Sequence, residues 1–270
     1  MHSMCQTRQN LIHRPRQAVR GLTLLEILIA LFLGLVLSLG AAQLFDTNQR
    51  MFRFQQGVSE ATEVGRFSIN FLSSDIRRAG YRPGRSDLGA ASITVQDAAD
   101  VNENDILTIR YAGDVFGNVN CDGSQAVNGI VVNTYQILEE TNGAIINSSE
   151  SQSNRFALVC NNQQLISGVE RFRVLFGIDL NNDNTADVFQ PTIPTNNIER
   201  VVAVRIGLVA SSDADINAET PISGNIAFLD TQIDFSNGTE FELDGRLRRI
   251  YIKTVVLRNE QSAPNSIIAP

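Results

Sequence analysis

Three sets of residues in this 270-residue chain have types and spacing that could do chemistry. The first is Glu26, the one charged residue between Gly21 and Phe45. A carboxylate buried ionised in hydrocarbon costs on the order of 2 to 3 kcal/mol, so a plain membrane anchor gains nothing by carrying one. Two readings stand: Glu26 lies at headgroup level in water, or it meets a cationic partner. The second set is Cys121 and Cys160, which remain as a pair if the front of the chain, with Cys5, is removed. Two cysteines in an exported domain favour a disulfide; two separately buried thiols are the alternative. The third is "DLNNDNTAD", which places Asp179, Asn181, Asp183, Thr185 and Asp187 at alternate positions. These are hard oxygen donors at the spacing of a calcium loop. Against calcium, Asn184 stands where such loops carry Gly and Gln190 where they carry the bidentate Glu. Asx-rich stretches also make ordinary turns, and both readings stay open.

Positioning these groups requires an anchor and a scaffold. Leu22 to Phe45 is free of Pro, and as a helix its 24 residues would span roughly 36 Å, enough for a hydrocarbon core of about 30 Å. The four arginines before it, with no acid, place the N-terminus in the cytoplasm and the body in the periplasm. The helical pattern continues through Phe54, Val58, Ala61, Gly65, Ser68, Leu72, Ile76 and Ala79, predicting one helix to a stop at Gly80. Beyond Pro83 come β-prone runs starting at Asp105, Gly129, Arg155, Val169, Arg200 and Arg248, separated by Asn, Asp, Gly and Ser. The expected fold is α+β: a long N-terminal helix, membrane-spanning in its first half, packed on an antiparallel sheet. The expected divisions are a basic leader (1–21), the helix (22–80, with 22–45 in the membrane) and a β-rich periplasmic domain (81–270).

The stretch "GLTLLE", Gly21 to Glu26, after a basic leader and before the apolar run, resembles the type IV prepilin signal. Leu22 stands where Phe is more usual. The resemblance implies that a prepilin peptidase cuts between Gly21 and Leu22 and methylates the new amino group of Leu22. It also implies that Glu26 docks against the cationic terminus of a neighbouring subunit, which makes a charge in the membrane far cheaper. Further blocks are similar to the PilW family of minor type IV pilins: "EVGRFSINFLSSDIRRAGY" from Glu63, "GVERFRVLFGIDLNNDNTADVF" from Gly168, "RVVAVRIGLVAS" from Arg200 and "DGRLRRIYIKTVVLRN" from Asp244.

Composition narrows the function classes. The net charge is −7, and with the four leader arginines set aside the rest of the chain carries −11, so no nucleic-acid partner is expected. Both histidines, His2 and His13, lie in the leader, so its removal leaves no imidazole for Ser-His or Cys-His catalysis. An enzyme is not expected. The cofactor expectation is none, with calcium the one ion the sequence admits. The leading function is a minor pilin that primes type IV pilus assembly. Its partners would be other minor pilins, the major pilin, the prepilin peptidase, the inner membrane and a tip adhesin. It would reside first in the bacterial inner membrane and then in the surface pilus. A type II secretion pseudopilin and a tethered ligand- or calcium-binding module are the alternatives.

Overall fold

The computed structural model describes residues 21, 23–83, 92–97, 104–141, 144–146, 155–193, 200–213, 225–234 and 245–258. The leader up to residue 20 and Leu22, and with them the expected cleavage bond and methylation site, lie outside the described residues. The chain divides into two units, residues 1–49 and 50–270. Helix α1, Leu24–Ile76, begins in the first and ends in the second.

In the first unit every described side chain is exposed, including Leu24, Phe32, Leu37 and Phe45. The apolar run of α1 is long enough to cross a membrane, and none of it is buried inside the protein.

In the second unit α1 buries one face: Gly57, Ala61, Val64, Gly65, Ser68, Ile69, Leu72 and Ile76, recurring at steps of three and four. Phe54, expected on this stripe, is exposed, and Gly57 takes the buried position instead. The helix also stops earlier than the expected Ala79. After Ile76 the amides of Arg78 and Ala79 bond to the carbonyls of Asp75 and Ile76 three residues back, a tightened last turn. Gly80, at φ 74°, then turns the chain, and its amide donates to the Arg110 carbonyl (3.1 Å).

The β strands are β1 (Ile93–Gln96), β2 (Ile106–Ala112), β3 (Ile130–Thr141), β4 (Ala144–Ile146), β5 (Phe156–Cys160), β6 (Gln163–Ser167), β7 (Val169–Ile178), β8 (Val188–Gln190), β9 (Val201–Ser211), β10 (Asn225–Phe228), β11 (Thr231–Asp234) and β12 (Arg248–Val256). The six runs expected from the sequence correspond to β2, β3, β5, β7, β9 and β12. They do not form one sheet. The first sheet has the order β1-β2-β3-β5-β6 with β4 on the end of β3, the second β12-β9-β7-β8, and β10-β11 is a separate hairpin, all antiparallel.

Gly168 is the corner between the two sheets. At φ 84° it turns from β6 into β7 while its amide donates to the Phe156 carbonyl and its carbonyl accepts from the Ser211 amide, both at 2.8 Å. A Cβ there would stand 2.9 Å from the Ser211 carbonyl oxygen, which restricts the position to glycine. On β2 the alternate residues Leu107, Ile109 and Tyr111 are buried in a core shared with Leu72 and Ile76 of α1. β9 is buried along nearly its whole length, because α1 residues share the core on one side and the β10-β11 hairpin lays Phe228 and Ile233 on Val209 on the other.

Candidate functional site

The chemistry expected at the N-terminus rests on where the helix begins. Thr23 is its cap: the Glu26 amide donates to Thr23 Oγ1 (3.2 Å) and to the Thr23 carbonyl (3.1 Å). Glu26 therefore lies in the first turn, where a carboxylate faces the positive end of the helix dipole. Gly21 and Glu26 are both exposed. Thr23 was not singled out from the sequence, although the spacing Thr-x-x-Glu is that of a capping box and could have identified it.

The two cysteines form a disulfide, with Cα atoms 6.1 Å apart. It belongs to a closed circuit of side chains around the end of α1. The Cys121 amide donates to Asn133 Oδ1 (2.9 Å), and Asn133 Nδ2 donates to Asp75 Oδ2 (2.8 Å). The same carboxylate oxygen accepts from the Tyr135 hydroxyl (2.7 Å), and Tyr135 is paired across the sheet with Cys160. Asp75, Asn133 and Tyr135 are all buried, and Arg78 lies 3.7 Å from Asp75 on its outer side. Burial and the Asp75 charge push the Tyr135 hydroxyl well above the usual phenol range and Tyr111 up to about 12.

In the loop after β7 the carboxylates are occupied by the loop's own donors. Asp179 accepts the amides of Asn181, Asn182 and Asn184, Asp183 accepts that of Thr185, and Asp187 accepts that of Leu180. Asn181 Nδ2 bridges Asp183 (3.1 Å) and Asp187 (3.3 Å), so an amide donor sits among the oxygens expected to face a cation. Asn182 and Asn184 hold positive φ, as turn asparagines do. Among the described residues no group of three or more His, Cys, Asp or Glu side chains is arranged to hold a metal ion.

One charged cluster had no local signal in the sequence. Arg173, on β7, reaches Asp97 (2.8 Å), Asp105 (2.9 Å) and Asp230 (3.2 Å), and Asp105 also accepts the Val174 amide (2.6 Å). It ties the end of β1, the start of β2 and the β10-β11 turn to the second sheet. Its neighbours are 57 to 76 positions away in the chain, beyond any local pattern. Glu170 and Arg248 form a second buried pair (2.6 Å) between β7 and β12.

Residues 134–259 match the family Type IV Pilus-assembly protein W, PilW, and residues 16–42 match the prokaryotic N-terminal methylation motif. Over residues 134–259 the chain is similar to the PilW family. The motif match spans the capped turn with Gly21 and Glu26, and the PilW match runs from within β3 past the end of β12. No curated protein sequence matches the chain. Among solved structures it is similar to a type IV-like pilin, TTHA1219 from Thermus thermophilus, at 14% identity and TM-score 0.43, covering 73% of this chain and 97% of that one. It is also similar to a chain of the GspK-GspI-GspJ complex from the enterotoxigenic Escherichia coli Type 2 Secretion System, at 13% identity and TM-score 0.28, covering 71% and 96%. The methylation motif and the apolar helix together indicate a membrane-anchored, pilin-like protein.

Proposed function

We propose that this PilW protein is a minor pilin that primes type IV pilus assembly together with other minor pilins, in a structural and not a catalytic role. The observation that carries the reading is the coincidence, in one chain, of the methylation motif over 16–42 with the PilW match over 134–259. In this reading the prepilin peptidase cuts after Gly21 and methylates Leu22. The body folds in the periplasm, and the subunit leaves the inner membrane with the filament, alongside the major pilin and a tip adhesin.

Glu26 is then a docking group. Its carboxylate sits on the first turn of a helix whose described apolar side chains up to Phe45 are exposed, and a methylammonium terminus of a neighbour would neutralise it there. Glu26→Ala is expected to leave insertion and cleavage intact and to lower recovery in sheared pili at least tenfold; gene deletion is expected to reduce pilus number. A Glu26→Ala protein that enters pili at normal levels and restores pilus number in the deletion strain refutes docking. Deletion that spares pili but blocks export of secreted enzymes replaces the pilus role with that of a secretion pseudopilin.

A further inference from the structure

We infer that the outer edge of β12 is a strand-addition site for an extended segment of a neighbouring pilin-type subunit, one that alternates acidic and apolar residues. The inference rests on the pilin reading above. β12 is the terminal strand of the second sheet, nine residues long and free of Pro. Hydrogen bonding alternates along an antiparallel pair, so its phase can be read from the ends. The Leu257 amide donates to the Val202 carbonyl and the Ser212 amide to the Leu247 carbonyl, both at 2.9 Å, which turns the odd-numbered residues of β12 toward β9. The amides of Ile250, Ile252, Thr254 and Val256 therefore point outward, and among the described residues no strand pairs with them. An unpaired edge of this length is a template for another strand.

The two faces of that edge state what the incoming strand must carry. On the face away from α1, Ile252 and Val256 are 51% and 58% exposed at positions four apart. On the face toward α1, Arg249 donates to Thr62 Oγ1 (2.6 Å) and Lys253 to Asn70 Oδ1 (3.1 Å), so among the described residues each cation meets a neutral oxygen. Thr62 and Asn70 also line a concavity of about 690 Å³ along the helix, with Arg66, Phe67 and Phe71. Glu63 is the one carboxylate in it, and Phe67 is 44% exposed there. Residues 246–258 hold five cations and no acid in a chain of net charge −7, and Lys253 is the chain's only lysine. Two copies of β12 paired with each other would set these cations against one another, which disfavours self-pairing. An acidic strand from a different subunit satisfies the outward amides, Arg249 and Lys253, and the apolar row together.

The test uses the full-length protein in the envelope of pilus-forming cells. A photo-reactive residue replacing Thr254 is expected to give one dominant adduct with a pilin-type subunit other than this chain, mapping to a segment of alternating acidic and apolar residues. Ile252→Pro removes an outward amide without breaking a bond to β9 and is expected to lower both the adduct and recovery in sheared filaments at least tenfold. Lys253→Glu, which leaves the backbone unchanged, is expected to lower them at least threefold; in both variants the disulfide and the envelope level should match the unsubstituted protein. If Ile252→Pro reduces the envelope level, Lys253→Glu decides the matter. An adduct with a second copy of this chain or with a protein that is not a pilin overturns the inference. If the unsubstituted protein enters filaments and both variants enter equally well, the strand site falls and the pilin reading stands; if the unsubstituted protein neither enters filaments nor gives a pilin adduct, both fall.

Discussion

Residues 24–49 and the folded unit from residue 50 onward treat charge and apolar surface in opposite ways. The first exposes every described apolar side chain and carries Glu26 as its one charge up to Phe45. The second buries charge: Asp75, Asp105, Glu170 and Arg173 are all inside, each bonded to a partner from a distant element. Burial of a charge is tolerated where its partner is built into the same fold.

The contrast can be broken most strongly at Arg173. Arg173→Ala leaves the fully buried Asp105 without its cation and should cost about 3 to 5 kcal/mol of folding stability, measured by urea unfolding of the detergent-solubilised protein. Glu26→Ala in the same assay should leave the unfolding midpoint unchanged, because Glu26 is exposed. Equal losses would erase the distinction between the two regions.

The disulfide closes a span of 39 positions, and opening it with Cys121→Ala and Cys160→Ala together should cost about 4 kcal/mol on the chain-entropy estimate. Two alkylatable thiols in the unreduced, denatured protein would show that the bridge does not form in cells.

A smaller effect comes from pH. Tyr111 and Tyr135 have folded-state values raised above the unfolded phenol value of about 10, so the stability linked to them is fully present below that pH. It is lost as pH rises from there through about 12, the value for Tyr111. Tyr111→Phe should flatten the alkaline limb of a plot of unfolding midpoint against pH; an unchanged limb removes Tyr111 as its cause.

The smallest expected effect is at the Asp179–Asp187 loop, whose carboxylates are already occupied by amides. Millimolar calcium should leave Tm where a chelator leaves it. A rise with calcium would mean that the folded state binds the ion and that the loop rearranges around it.

The features legible in the sequence were those written over neighbouring residues. The strands β2, β3, β5, β7, β9 and β12 announce themselves as apolar, β-prone runs, and the cap and carboxylate of α1 lie within "GLTLLE". The strands β1, β4, β8, β10 and β11, of three or four residues, are too short to show a period, and β6, as long as β5, opens on two glutamines. The division into two sheets was not legible either, since it depends on Gly168 turning the chain and on which distant strands pair. Arg173 looks like any strand arginine until Asp97, Asp105 and Asp230 converge on it.

The covalent bridge has a mechanical meaning. A chain pulled from its ends lengthens by at most about 3.3 to 3.6 Å for each residue released. With Cys121 tied to Cys160, the 39 positions between them are withheld from the pull, about 130 Å of slack that tension cannot draw out while the bond lasts. The tethered segment holds β3 with Asn133 and Tyr135, the residues that grip Asp75 at the end of α1. Should load part those hydrogen bonds, the segment can be displaced but not unravelled, and it remains on a short leash from which the grip can re-form.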